Sequence, residues 1–163
     1  MNIQIIVHSQ TGTTAKFANL IFEKLTAAGH TVNLTPLETK EPVKQGSVRD
    51  NQVINFTNLP AIEATDLLLL GGPVWAFGPS PVIIAAIRQL GKLTGKQMIP
   101  FATMGFPLKG MGGKAAINYM GREAATLGAK VLPGSICCKM FHDLNADMAQ
   151  ESDKIVALVA SLK

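Results

Sequence analysis

The chain has little cysteine, little charge and no long apolar run, and each shortage excludes something. Its two cysteines, Cys137 and Cys138, are adjacent and cannot staple distant segments. With three histidines (His8, His30, His142) at no ligand spacing, they assemble no zinc pattern. They read as consecutive buried strand residues. The apolar runs, Ile3 to Val7 and Leu67 to Leu70, fall far short of the ~18 residues that span a bilayer. Met1 leads directly into a strand pattern without a basic region, apolar stretch and cleavage site, which predicts a cytoplasmic protein with no membrane insertion. Charged residues make up 16%, and the net charge of +4 is spread over single Lys and Arg residues. No basic run interleaves with aromatics, so the reading is a solvated surface and no nucleic-acid partner.

What is present fits one compact core. At 163 residues the length predicts a single domain over 1–163, burying roughly 70% of its unfolded surface. Hydrophobic content of 47% with mean hydropathy +0.25 suits strands covered on both faces. Residues 3–7 read as a first strand and 13–28 as a helix closed by Gly29, followed by a strand over 31–37. Residues 38–65 are polar with scattered apolar positions, and a short element is expected around 59–64. A central strand covers 67–70, a loop 71–79, and a helix starts at Pro81. A fourth strand over 97–103, a glycine-rich loop, a helix carrying Ile117, Met120, Ala124 and Leu127, a fifth strand over 129–137 and a helix over 147–162 complete the pattern. Five strands alternating with helices imply right-handed crossovers and an α/β doubly wound parallel sheet.

Ser9-Gln10-Thr11-Gly12-Thr13-Thr14 joins the first strand to the first helix. Four hydroxyl residues and a glycine in six positions, with neither Lys nor Arg among them, form a phosphate cradle built on hydrogen bonds and the helix dipole alone. An ordinary helix N-cap is the plainer reading of such residues. The segment is neither a Walker loop nor a dinucleotide fingerprint, so the ligand it suits is a phosphate monoester that is held rather than a triphosphate that is cleaved. A receiver domain needs an aspartate at the end of the third strand, where this chain has Gly71-Gly72. A low-molecular-weight phosphatase needs a cysteine in the first loop, and none stands there.

S-x-T-G-x-T after the first strand resembles the FMN phosphate loop of the flavodoxin family. Gly71-Gly72-Pro73-Val74-Trp75-Ala76-Phe77-Gly78 stands where that family places its first isoalloxazine loop, and Thr103-Met104-Gly105-Phe106 where it places the second. The resemblance covers nearly the whole chain. It implies a flavodoxin-like five-stranded sheet of order 2-1-3-4-5, with FMN at the switch point between strands one and three. The absence of a long insertion in strand five makes it similar to the short-chain type. Implied cofactor contacts are Ser9, Gln10, Thr11, Gly12, Thr13 and Thr14 on the phosphate, with Thr11 and Thr14 each giving one hydroxyl bond. Pro73, Val74, Trp75, Ala76, Phe77 and Gly78, with Thr103, Met104, Gly105 and Phe106, are implied on the ring. Trp75 is the expected stacking residue, or else a cap on the core, with Phe77 as runner-up. Lys109 and Lys114 read as cations favouring a negatively charged reduced ring, or as solvated lysines.

Three functions stay open. The first is a flavodoxin-like redox protein passing electrons through non-covalent FMN to a partner protein, with no catalytic side chain and no metal. The second is an NAD(P)H-dependent flavin or quinone reductase, in which a homodimer completes the pocket. The third is a binding module with a vestigial flavin site. Family carriers are usually acidic, and the net positive charge departs from that pattern.

Overall fold

The computed structural model describes residues 1–105, 110–140 and 143–162. Apolar residues on both sides of each strand decide the architecture. In β1 (Asn2–Val7), Ile3, Ile5 and Val7 join one core cluster and Ile6 the other. β3 (Leu67–Trp75) divides Leu67 and Leu69 from Leu68 and Leu70, and β5 (Gln97–Met104) divides Ile99 and Phe101 from Met98. Side chains alternate across a strand, so strands apolar at successive positions need cover on both faces. One face is covered by α1 (Thr13–Ala27), through Phe17, Ala18, Ile21 and Leu25, and by α4 (Leu144–Ala160), through Met148, Ile155 and Val159. The other receives Ile83, Ile84 and Ile87 from α2 (Pro81–Gln89) and Met120 and Ala124 from α3 (Gly113–Thr126). The Phe17 and Phe101 rings meet edge to face at 5.6 Å, an arrangement worth about 1 kcal/mol beyond area burial.

β2 (Thr31–Pro36) and β3 flank β1, and β5 lies beyond β3, all parallel. The fifth position is filled by two pieces, β6 (Lys130–Val131) and β7 (Ser135–Cys138), both parallel to β5. Counted together they give the expected order 2-1-3-4-5. The break has a local cause. Met98 pairs with Val131 and Phe101 with Ser135, so Ile99 and Pro100 face three residues, Leu132, Pro133 and Gly134. One residue is in excess and Pro133 offers no N–H, which interrupts the ladder.

The structure departs from the sequence expectation in three further places. The expected loop over 71–79 is mostly strand: β3 continues to Trp75 and turns back into the two-residue strand β4 (Gly78–Pro79), with Trp75 opposite Gly78. Glycine belongs inside this strand because a Cβ on Gly71 would fall within the Phe101 ring. The segment 38–65 has its short element at Val48–Asp50, a single 3-10 turn, rather than around 59–64. Ser47 caps it and the Asp50 carboxylate accepts from the Ser47 amide at 2.7 Å, a capping box readable in Ser47-x-x-Asp50. α4 starts three residues before Asp147 because the Asp143 carboxylate accepts from the Asn145 and Ala146 amides.

Candidate functional site

The strand order places a crevice between the carboxyl ends of β1 and β3, from which the chain leaves to opposite faces of the sheet, into α1 and α2. The His8 amide donates to the Gly71 carbonyl at 2.9 Å, extending the β1–β3 ladder by one residue, and the chain then turns through residues 9–12 into α1. Gly12, at φ 89°, occupies the N-cap of α1 with no side-chain cap. The amides of the first helical turn therefore point at the loop without a side-chain acceptor, and the positive end of the helix dipole lies there. The Ser9 hydroxyl oxygen is buried and has no hydrogen-bond partner among the described residues. A buried hydroxyl left unpaired costs about 1–3 kcal/mol, so a partner supplied from outside the chain is the natural complement. An anionic phosphate would supply the acceptor those amides lack, and Ser9 stands three residues before the Gly12 N-cap, so the donor set suits the FMN phosphate.

Gln10, Thr11 and Gly12 are exposed and Thr13 is half-buried. Thr14 is buried, and its Oγ1 lies 2.6 Å from Thr103 Oγ1. This places the Thr14 hydroxyl against the end of β5, so Thr11 and Thr13 carry the accessible threonine hydroxyls of the loop. The bond also ties the two segments expected at opposite ends of the cofactor.

A cavity of about 210 Å³ opens between these segments, lined by Thr11, Thr13, Pro73, Val74, Trp75, Thr103, Met104 and Gly105, with Gln45 and Lys139. Eight of the sequence-derived residues thus surround one space. Ala76, Phe77 and Gly78 do not line it; they face a neighbouring cavity on the other side of the hairpin. Phe106 and Lys109 lie outside the described residues. Gln45 and Lys139 went unnoticed in the sequence. The Gln45 side-chain amide donates to Gln10 Oε1 at 3.0 Å, and the Lys139 amide donates to the Met104 carbonyl at 2.8 Å. Lys139 lines the cavity and Lys114 does not.

Trp75 is 9% exposed and packs edge to face against His8, ring centroids 5.1 Å apart and interplanar angle 89°. His8 Nδ1 lies 2.9 Å from Ser80 Oγ, and Ser80 caps α2 by accepting from the Ile83 amide. The indole is thereby seated on a strand-end histidine that a helix cap orients. Burial lowers the His8 pKa from 6.5 to about 4, so the ring is neutral at neutral pH. The hairpin carries strain: Ala76 and Phe77 both have positive φ, 47° and 61°. A two-residue hairpin of this twist requires it, and neither residue is the glycine or asparagine that takes such angles readily.

No protein-family model and no curated protein sequence matches the chain. Solved structures do. Flavodoxin 2 from Bacillus cereus in its oxidised form is 20% identical, with 99% of each chain covered and a TM-score of 0.69. A short-chain flavodoxin associated with a bacterial microcompartment is 15% identical over 100% of this chain and 99% of the other, at 0.68. The two-electron reduced flavodoxin of Megasphaera elsdenii is 21% identical over 93% and 98%, at 0.61. No helix among the described residues is long and apolar enough to cross a membrane. The parallel sheet of order 2-1-3-4-5, covered by two helices on each face and matched end to end by these structures, gives the chain the flavodoxin-like fold.

Proposed function

We propose that the chain, as one domain over 1–163, binds FMN non-covalently and serves as an electron-transfer flavoprotein. The observation that carries this reading is the buried, unpartnered Ser9 hydroxyl beside the uncapped N-terminus of α1, at the switch point of a flavodoxin-like sheet. Ser9, Thr11 and Thr13 with the first amides of α1 would hold the phosphate, and no cation is needed for it. FMN supplies the electron-accepting and electron-donating ring, and the protein supplies binding, shielding and electrostatics. Trp75, Pro73 and Met104 exclude water from the cavity, while Thr103, Gln45 and Lys139 provide its polar contacts. The His8–Ser80 bond fixes the indole on its strand.

A second reading, a reductase taking electrons from NAD(P)H, draws support from Lys139, which puts a positive charge on the wall of the cavity and favours negative charge on a reduced ring. In the carrier reading the partner is a redox protein; in the reductase reading it is a nicotinamide nucleotide and a quinone or flavin. FMN affinity of Thr11→Ala tests the cradle: loss of one bond to a charged acceptor lowers affinity about tenfold or more. Unchanged affinity would contradict it.

A further inference from the structure

The hairpin that walls the proposed flavin cavity with Val74 and Trp75 presents its tip to a second, larger space. This cavity of about 520 Å³ lies between the Val48–Asp50 turn, the hairpin tip and one face of α3, with Arg49, Phe77, Asn118, Tyr119 and Arg122 among its lining residues. Among the described residues no carboxylate lines it. Of the acids next to these arginines in sequence, Asp50 accepts from the Ser47 amide, and Glu123 holds Arg88 through two bonds of 2.8 and 2.9 Å, its carboxyl kept below the usual carboxylate range by those bonds and, less, by the charge of Arg122. Among the described residues neither Arg49 nor Arg122 makes an ion pair. The Arg122 guanidinium instead lies over the Tyr119 ring, 5.8 Å from its centre.

Phe77 is 66% exposed, while its backbone lies close against Gly112. Its φ of 61° is held against Gly112, where an added Cβ would lie 2.9 Å from Phe77 Cα. An exposed phenylalanine on a strained, buttressed turn is a feature that packing of this chain alone does not call for. Two exposed guanidinium groups, two aromatic rings and the Asn118 amide around a concave space form a set with a definite chemistry. Guanidinium groups match phosphate geometry, aromatic faces take planar bases, and the volume lies in the range of small-molecule sites rather than of flat protein contacts.

We propose that this groove binds a nicotinamide dinucleotide, with Arg49 and Arg122 taking its phosphates and Phe77 and Tyr119 giving aromatic surface to its planar rings. The nicotinamide class, rather than nucleotides at large, rests on the reading of the adjoining cavity as a flavin site. The two sites share one hairpin, Val74 and Trp75 serving one and Ala76 to Pro79 the other.

The test is calorimetric titration of the purified full-length protein, loaded with FMN, with NADP⁺, NAD⁺, AMP and inorganic phosphate, repeated on Arg49→Gln, Arg122→Gln and the double variant. Both side chains are exposed, so the variants keep the fold. The expected result is dinucleotide binding weakened about tenfold by each substitution, falling with added salt, and FMN affinity unchanged in all variants. No binding of either dinucleotide, equal binding by the double variant, or AMP or phosphate binding as tightly as the dinucleotide would each overturn the proposal. Failure to take up FMN, with dinucleotide binding and its arginine dependence intact, would instead remove the flavin reading and leave the groove standing.

Discussion

The hydroxyls of Thr14 and Thr103 meet 2.6 Å apart, joining the first turn of α1 to the end of β5 across the crevice that the sheet order creates. Both residues are buried, at 2% and 4% exposure, so each hydroxyl depends on the other. Thr103→Val leaves the Thr14 hydroxyl buried without this partner and should destabilise the protein by about 1–3 kcal/mol. The Thr14→Val, Thr103→Val pair should be close to neutral, because both partners are then apolar. Urea unfolding of the four proteins in the cycle measures this; equal losses in the single and double variants would show that the bond is not the source.

Ser9→Ala should separate stability from binding. The wild-type hydroxyl is buried and unpartnered, so its removal should leave the protein without flavin as stable or up to about 1 kcal/mol more stable. FMN affinity should fall about tenfold or more. A variant that loses stability without losing affinity would show that Ser9 serves the fold and not the phosphate.

His8 makes stability depend on pH in a fixed direction. Its folded pKa of about 4 lies below the unfolded value of 6.5, so between these values the unfolded chain binds more protons. Stability is therefore complete above pH 6.5 and falls as the pH drops toward 4, by about 3 kcal/mol in total. The loss attaches to the ring packed on Trp75 and bonded to Ser80. His8→Gln should lack this component between pH 7 and pH 4.5 when unfolding free energies are compared with wild type; parallel pH profiles would contradict the assignment.

At the hairpin tip, Ala76 holds φ 47° with a side chain that disfavours it. A left-handed non-glycine residue costs about 1–2 kcal/mol, partly offset by glycine's greater freedom in the unfolded chain. Ala76→Gly should raise stability by about 0.5–1 kcal/mol. A loss of stability on thermal unfolding would mean that the turn is not strained.

Much of the fold could be read from particular residues. Ile3, Ile5 and Ile6, with Leu67 to Leu70, signal strands covered on both faces, and the structure buries every one of them. Pro81 and Gly29 mark a helix start and a helix end because each acts through its own backbone. The misses arise where a partner at a distance decides. Gly71 to Trp75 looks like loop by composition, yet Gly71, Gly72 and Pro73 pair with Phe101, Ala102 and Thr103, and that pairing carries β3 onward into the hairpin. Lys139 and Gln45 reach the cavity only because β7 and the 38–65 segment fold over it, and no local spacing announces that. Phe77, the runner-up to Trp75 as a stacking residue in the chain order, lies at the two-residue turn and lines the neighbouring cavity.

In the proposed site the loop from Ser9 to Thr14 holds the phosphate of FMN, with the ring beside Trp75. Titration of flavin-free protein with FMN and riboflavin, following flavin fluorescence and the emission of Trp75 together, tests it most directly. FMN should quench both signals and bind at least tenfold more tightly than riboflavin, the difference being carried by bonds to the phosphate. Equal affinity for the two flavins, or no binding of either, would contradict it.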